Sequence, residues 1–190
     1  MKIGLYFGSF NPIHIGHLII ASYIANNTEQ EQVWFVVSPQ NPLKASSTLL
    51  NEYHRLHLVK LATEEDKQLK ASDIEFKLPR PSYTIDTLAH LQEKYPQHQF
   101  FIIMGSDSLQ NIHKWKNHEQ LLKGYPFLIY KRQGFEIKEI PGADIRQVNA
   151  PFLDISATVI RKMIKDGKSI RYLVPEKVRL EIEQNGYYKR

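Results

Sequence analysis

The chain has 190 residues, 42% hydrophobic and 24% charged, so it can bury the core of one α/β domain and is too apolar to be disordered. It has no cysteine, which excludes disulfide bonds, zinc–thiolate sites and a thiol nucleophile. A formal net charge of +5 favours anionic partners such as nucleotides, but no block of like charges predicts a nucleic-acid-binding arm. No apolar run is long enough for a membrane span or a signal peptide, so we expect a cytoplasmic protein without a membrane partner.

Short apolar runs alternate with amphipathic stretches along the whole chain, as they do in proteins built from β–α–β units. This pattern predicts strands at residues 2–7, 32–38, 69–76, 99–105, 127–132 and 144–150. It predicts helices at residues 15–27, 53–65, 82–95, 156–167 and 175–185. We therefore expect an α/β fold in which a parallel sheet carries helices on both faces.

No linker or composition change divides the chain, so residues 1–190 are predicted to form a single domain. The C-terminal helical portion, residues 156–190, is expected to pack on that same domain. Three helix boundaries have their own signals. Ser82 and Ser156 are placed as N-caps, and Pro175 is placed in the first turn of the last helix.

The stretch GSFNPIHIGH, at residues 8–17, joins the first predicted strand to the first predicted helix. Gly8 would allow unusual backbone dihedral angles, and Pro12 cannot lie inside a helix, so the helix begins after it. His14 and His17 then fall in or near its first turn, where free N–H groups and the helix dipole stabilise anions. The sequence predicts a phosphate site at this turn.

Two other interpretations of the histidines remain open. Both side chains could simply cap a loop, although a glycine between them at position 16 keeps the backbone approachable by a ligand. Their spacing could also suit a metal ion, but no carboxylate or cysteine lies within ten residues of them. We therefore predict no protein-bound metal site.

A second stretch, DISATVIRKMI at residues 154–164, repeats the same physical pattern near the other end of the chain. Ser156 would cap a helix, Thr158 would lie in its first turn, and Arg161 would follow three residues later. Hydroxyls, free N–H groups and a guanidinium at one helix start suit a polyphosphate. An ordinary capped helix with a surface arginine is the alternative.

The two stretches resemble the two signatures of the HxGH nucleotidyltransferase superfamily. The first signature is a G-x-F-x-P turn followed by H-x-G-H, and it is matched by Gly8, Phe10, Pro12, His14, Gly16 and His17. The second is I-S-S-T-x-I-R, from which this chain departs only at Ala157. The resemblance implies a Rossmann-like nucleotidyltransferase fold.

Within that superfamily, further segments resemble the bacterial nicotinate-nucleotide adenylyltransferase family. They are PSYTIDTL at 81–88, MGSDSLQNIHKW at 104–115, FLIYKRQG at 127–134 and the tail at 173–188. There are also departures from that family. Leu43 replaces a histidine before the retained Lys44, and Leu78 stands where the family has an arginine, which leaves the role of Arg80 open. The role of Lys116 is open as well.

The resemblance implies an enzyme that transfers AMP from ATP to nicotinate mononucleotide, giving deamido-NAD and pyrophosphate in NAD biosynthesis. Its implied catalytic residues are His17, His14 and Arg161. Its implied ATP-binding residues are Gly8, Ser9, Phe10, His14, His17, Lys44, Ser156, Thr158 and Arg161. Its implied mononucleotide-binding residues are Tyr83, Thr84, Asp107, Trp115 and Arg132. Mg²⁺ is expected to accompany ATP, held mainly by phosphate oxygens and water.

Residue chemistry supports the implied acceptor site. Trp115 offers an aromatic face for a pyridine ring, and Asp107 can accept hydrogen bonds from ribose hydroxyls. Backbone N–H groups near Tyr83 and Thr84 would favour a carboxylate over an amide. Nicotinamide mononucleotide or phosphopantetheine as acceptor, and a non-catalytic nucleotide sensor, are the alternatives. The sequence leaves the oligomeric state open.

Overall fold

The computed structural model describes residues 1–40, 48–151 and 153–189, and within them it has one parallel sheet of six strands. The strands are β1 (Lys2–Gly8), β2 (Gln32–Val37), β3 (Leu69–Ser72), β4 (Gln99–Gly105), β5 (Phe127–Tyr130) and β6 (Ile145–Val148). The helices are α1 (Ile15–Asn27), α2 (Glu52–Thr63), α3 (Thr84–Lys94), α4 (Ser106–Leu109), α5 (His118–Gly124), α6 (Ala157–Lys165) and α7 (Glu176–Asn185).

The strand order is β3-β2-β1-β4-β5-β6, which confirms the expected Rossmann-like α/β fold. Strand β1 lies between β2 and β4 and is parallel to both; Ile3 stands opposite Gln32 on one side and Phe100 on the other. The chain therefore builds outwards from β1 to β3 and then crosses back to add β4 beside β1. Ligands of such sheets bind at this switch point, outside the carboxyl ends of the strands.

Alternate residues of the central strands feed two hydrophobic clusters, one on each face of the sheet. In β4, Phe101 and Ile103 belong to the first cluster, and Phe100 and Ile102 belong to the second. Helices α1, α2, α6 and α7 contribute to the first cluster, whereas α3, α4 and α5 contribute to the second. Both faces are covered, which explains why the strands read as continuous apolar runs.

The C-terminal helices share the first cluster with the N-terminal half of the chain. Ile160 of α6 and Val178 and Ile182 of α7 are buried there together with residues of α1 and α2. This packing supports the assignment of residues 1–190, including the portion 156–190, to one domain, and those bounds stay a prediction. No helix among the described residues is both long and apolar enough to cross a bilayer. The cytoplasmic location stays a prediction.

The sequence did not predict helices α4 and α5, and three further local expectations differ from the structure. The strand predicted at 69–76 ends at Ser72, and the chain continues into a 3₁₀ turn, Ile74–Lys77. Ser82 does not cap α3, because Tyr83 holds the cap position and the Ser82 hydroxyl donates to the buried Glu75. Pro175 is the residue before the first turn of α7, with extended ψ, and does not lie inside that turn.

Candidate active site

A cleft of about 470 Å³ opens at the carboxyl edge of the sheet, beyond β1 and β4. Its wall brings together residues from both ends of the chain and from the middle. Of the residues that the sequence predicted for ATP or for the mononucleotide, those in the wall are Gly8, Ser9, Phe10, His14, His17, Tyr83, Thr84, Asp107, Trp115, Arg132, Ser156, Thr158 and Arg161. Lys44 lies outside the described residues.

The turn after β1 depends on a glycine for space. A Cβ atom on Gly8 would lie 2.8 Å from the ring of Phe10, which is closer than two carbon atoms can approach. The unusual dihedral angles expected at Gly8 are found instead at Phe10, whose φ is 45°. The prediction for Gly8 was therefore right about the turn and wrong about the reason, since this glycine makes room for the buried phenylalanine.

The two histidines stack at the start of α1. His14 is the N-cap residue, and the ring centroids of His14 and His17 lie 3.7 Å apart. His17 Nδ1 accepts a hydrogen bond from the backbone N–H of His14 at 3.3 Å. Because Nδ1 accepts, a neutral His17 carries its proton on Nε2, and that N–H is the donor it can offer to a ligand.

Burial favours the neutral form of both imidazoles. Burial holds the pKa of His17 well below its usual range, and the neighbouring His14 and Arg132 lower it further. Burial also lowers the pKa of His14 to about 4, with a smaller contribution from Arg132. His14 Nδ1 is buried and has no hydrogen-bond partner among the described residues. A Cβ on Gly16 would lie 3.1 Å from that nitrogen, so the glycine leaves room for the ring.

The start of α6 meets the start of α1 through Arg161. Ser156 Oγ accepts a hydrogen bond from the backbone N–H of Val159 at 3.3 Å, so this serine caps α6 as predicted. Arg161 Nη1 donates to the carbonyl oxygen of Asn11 at 2.7 Å, and Nη2 donates to Thr158 Oγ1 at 3.3 Å. The guanidinium therefore joins the two helix starts and keeps further N–H donors for a ligand.

A buried arginine that sequence reasoning missed supports the same region. Arg55 of α2 is fully buried and donates hydrogen bonds to the carbonyl oxygens of Ser9 (2.6 Å), Ser38 (2.8 Å), Pro39 (2.9 Å) and Leu50 (2.8 Å). Among the described residues, no carboxylate lies within ion-pair distance of it. Its positive charge is therefore held mainly by these carbonyl oxygens, behind the turn at residues 8–17, with a longer-range attraction to Glu52.

The start of α3 forms the opposite wall of the cleft. Tyr83 and Thr84 line it, and the first N–H groups of α3 have no partners within the helix. The loop before α3 is held by Glu75, which is 2% exposed and accepts hydrogen bonds from Ser82 Oγ at 2.9 Å and Thr87 Oγ1 at 3.0 Å. Burial raises the pKa of the Glu75 carboxyl.

Asp107 and Arg132 face each other at the ends of β4 and β5. Asp107 Oδ1 lies 3.8 Å from Arg132 Nε, and the Arg132 guanidinium lies 5.8 Å from the centroid of the Tyr130 ring. A Cβ on Gly105 would lie 2.4 Å from Asp107 Oδ1, so a side chain at this position would displace the carboxylate from where it now lies. The cleft thus holds an acceptor for hydroxyls next to a cation.

Trp115 and Lys116 complete this end of the cleft. The Trp115 side chain is half-buried against the second cluster and lines the cleft. Lys116 also lines it and pairs with Asp86 of α3 at 2.8 Å. By contrast, Arg80 is absent from the wall and pairs with Glu52 at 2.9 Å, which gives it a structural partner outside the site.

His54 and His57 form a second histidine pair at i, i+3 spacing, on α2, and neither lines the cleft. His54 Nδ1 is 2.9 Å from the Tyr187 hydroxyl, and His57 Nε2 is 3.6 Å from Glu181. Within the described ranges, no group of three or more histidine, aspartate or glutamate side chains could hold a metal ion. The groups beside the two helix starts are imidazoles, hydroxyls and a guanidinium, which suit phosphate oxygens better than a cation.

The fold and the site define a nucleotidyltransferase, in which two helix starts converge on one side of a cleft at the switch point of the sheet. A family model described as cytidylyltransferase-like matches residues 5–163. Probable nicotinate-nucleotide adenylyltransferases from Flavobacterium psychrophilum and Flavobacterium johnsoniae are 52% and 51% identical to this chain, and both matches cover 100% of each protein. The chain belongs to the nicotinate-nucleotide adenylyltransferase family.

Solved structures show the same fold. The nicotinic acid mononucleotide adenylyltransferase of Plasmodium falciparum, complexed with NaAD, superposes with a TM-score of 0.82 at 23% identity, and the match covers 98% of this chain and 97% of that chain. A structure described as a putative nicotinate-nucleotide adenylyltransferase from Vibrio parahaemolyticus has a TM-score of 0.74 at 19% identity, over 100% of this chain and 96% of that chain.

Proposed function

We propose that this chain transfers AMP from ATP to nicotinate mononucleotide, releasing pyrophosphate and deamido-NAD, as a step of NAD biosynthesis. Its relatives over the full length carry that activity in their names. The observation that carries the proposal is the single cleft that joins the two helix starts to the wall containing Tyr83 and Trp115. A triphosphate at one end and a mononucleotide at the other would meet within it.

The reaction is an in-line displacement at the α-phosphorus of ATP. An oxygen of the mononucleotide 5′-phosphate forms the new P–O bond, and the bond to the bridging oxygen between the α- and β-phosphorus breaks. The electron pair leaves with pyrophosphate. The attacking phosphate is already ionised, so no general base is needed, and catalysis consists of positioning and charge stabilisation.

The two helix starts supply the positioning for the triphosphate. His17 donates from Nε2 because its Nδ1 is occupied by the backbone N–H of His14. Arg161, Thr158 and Ser156 come from α6 or its cap, with the guanidinium fixed on Asn11 at 2.7 Å. These donors stabilise the negative charge that develops on the leaving pyrophosphate.

The neutral state of the histidines suits this role. Because burial lowers the pKa of both imidazoles, the cleft carries less positive charge than two histidines suggest. A neutral His17 still donates its Nε2–H to a phosphate oxygen, so its role does not require protonation. Mg²⁺ supplies further charge neutralisation when bound with ATP, and phosphate oxygens and water are its expected ligands.

The opposite wall orients the acceptor. The pyridine ring of nicotinate mononucleotide stacks on Trp115, and the N–H groups at the start of α3 beside Thr84 receive its carboxylate. Asp107 accepts hydrogen bonds from the ribose hydroxyls, and Arg132 contributes positive charge beside it. Lys44 stays a candidate ligand of the triphosphate, on the sequence alone.

One assay tests the proposal: pyrophosphate release from ATP and Mg²⁺ with nicotinate mononucleotide, nicotinamide mononucleotide or phosphopantetheine. We expect rapid release with nicotinate mononucleotide and slower release with the other two. Equal efficiency with the nicotinamide form would overturn the acid preference. Nucleotide binding without pyrophosphate release from any acceptor would identify a sensor and contradict the enzymatic proposal.

A further inference from the structure

An ion pair connects the wall of the proposed mononucleotide end of the cleft to the first turn of α3. Lys116 Nζ donates to Asp86 Oδ2 at 2.8 Å, and the same ammonium lies 4.7 Å from the centroid of the Tyr83 ring. Lys116 and Tyr83 line the cleft, whereas Asp86 lies behind, in the first turn of α3. The ammonium therefore touches the helix start that would receive the pyridine substituent.

We propose that the opposing charges of Lys116 and Asp86 set how strongly the site prefers a nicotinate carboxylate to a nicotinamide amide. This inference rests on the proposed function and concerns its acceptor specificity. Lys116 attracts the carboxylate, and Asp86 limits that attraction by pairing with the ammonium and by placing negative charge at the start of α3.

The position of Lys116 in the chain places its charge near the substrate ring. Trp115 directly precedes it, and both side chains line the cleft. A ring stacked on Trp115 would present its substituent towards Thr84 and the Lys116 ammonium. One of the three ammonium donors is used by Asp86, which leaves two for a substrate oxygen.

The two acceptor substrates differ by one negative charge at the pyridine substituent and are otherwise alike. A change in local charge therefore alters the ratio of kcat/KM for the acid to kcat/KM for the amide. The side chains of Lys116 and Asp86 are 43% and 48% exposed, so solvent screens the interaction. Exposed pairs are worth roughly 1 kcal/mol or less. We therefore expect changes in specificity of about threefold to fivefold.

A purely structural role for the same pair makes a different prediction. If the ion pair only braced the Trp115 segment against α3, then removing either partner would break the same contact. Both variants would then lose activity in the same direction, with both acceptors. If charge sets specificity, the two variants move the ratio in opposite directions.

The experiment measures kcat/KM for nicotinate mononucleotide and for nicotinamide mononucleotide in the wild type, Lys116→Met and Asp86→Asn. We expect Lys116→Met to lower the acid-to-amide ratio by about threefold to fivefold through the acid substrate alone. Asp86→Asn raises the ratio by about twofold to threefold. Lys123→Met on α5 is the matched control, since that exposed lysine is absent from the cleft wall.

Lys116→Arg provides the rescue, because it keeps the charge and should keep the wild-type ratio. High salt should shrink the difference between wild type and Lys116→Met. An unchanged ratio in Lys116→Met, or a fall of the ratio in both variants, overturns the inference. A wild type that converts neither mononucleotide overturns the proposed function itself, and so the two failures are told apart.

Discussion

Arg161 Nη1 donates a hydrogen bond to the carbonyl oxygen of Asn11 over 2.7 Å, although 150 positions separate the two residues in the chain. This bond joins the start of α6 to the turn that precedes α1. It places the guanidinium on the same side of the cleft as the stacked imidazoles of His14 and His17. The polyphosphate site that we propose is therefore built from two helix starts that meet only in the folded chain.

The first prediction concerns this arginine. The wild-type guanidinium bonds to Asn11 and still offers donors to phosphate. In Arg161→Lys an ammonium replaces it, so positioning and charge no longer come from one group. We expect kcat/KM for ATP to fall by about 100-fold in a pyrophosphate-release assay. Lys162→Met, at the neighbouring exposed position outside the cleft wall, should retain wild-type activity. Normal turnover in Arg161→Lys would remove this residue from the transition-state site.

The second prediction concerns the Nε2–H donor of His17. His17→Ala should lower kcat by about 100-fold or more, because one transition-state donor is lost, while the far-ultraviolet circular dichroism stays that of a folded protein. His17→Gln should keep more activity than alanine, since its amide can donate near the same position. His90→Ala on α3, outside the cleft wall, is the control. Equal activity of the alanine variant and wild type would show that His17 is not catalytic.

The third prediction separates the two ends of the cleft. Trp115→Ala should weaken binding of nicotinate mononucleotide by about tenfold, as expected for the loss of an aromatic stacking surface. The affinity for ATP should stay within about twofold, since Trp115 belongs to the wall opposite the starts of α1 and α6. Isothermal titration with each ligand measures both values, and Trp115→Phe should recover part of the loss. Weaker ATP binding with normal mononucleotide binding would reverse the assignment.

The fourth prediction links His14 to stability. Its pKa is lowered by burial from an ordinary 6.5 to about 4, so between these values the unfolded chain binds a proton that the folded chain does not. Stability therefore falls as the pH drops through this window, by up to about 3 kcal/mol for this group. Urea unfolding from pH 7 to pH 4 measures the slope. His14→Asn should flatten it, and an unchanged slope would contradict the buried neutral imidazole.

The fifth prediction concerns Arg55. Arg55→Lys can satisfy only some of the four carbonyl oxygens that the guanidinium reaches, and it leaves the others buried without donors. We expect the free energy of unfolding to fall by at least about 3 kcal/mol, measured by urea denaturation. Arg179→Lys on α7, whose partners are the exposed Glu176 and Glu183, should cost far less. Equal losses of unfolding free energy in the two variants would argue against a stabilising role for the hydrogen bonds from Arg55 to the four carbonyl oxygens.

The order of the six strands and of five of the seven helices in the described residues could be predicted from the sequence, because their signals are local; α4 and α5 were missed. The two helix starts that we propose bind phosphate could also be located in this way. Continuous apolar runs marked β1, β2 and β4, and Ser156 marked the start of α6. The motif at 8–17 also identified the wall that contains His14 and His17. These features depend on neighbours within a few residues, which a single sequence displays directly.

Contacts between distant segments could not be predicted in this way. Among the described residues, Arg55 donates only to backbone carbonyls, which every residue type carries, so no sequence pattern points to these partners. The sequence suggested Ser82 as a helix cap. Its hydroxyl instead donates to Glu75, which approaches it only in the folded loop. The hydroxyls of Tyr6 and Tyr130 meet at 3.0 Å across 124 positions of sequence. Contacts of this kind depend on the order of the strands in the sheet, which brings distant parts of the chain together.

The central claim is that the starts of α1 and α6 hold one triphosphate together. A crystal structure of this chain with Mg²⁺ and a non-hydrolysable ATP analogue tests it most directly. We predict that phosphate oxygens lie within hydrogen-bond distance of both His17 Nε2 and the Arg161 guanidinium. A triphosphate bound in the cleft but in contact with neither group would contradict the account.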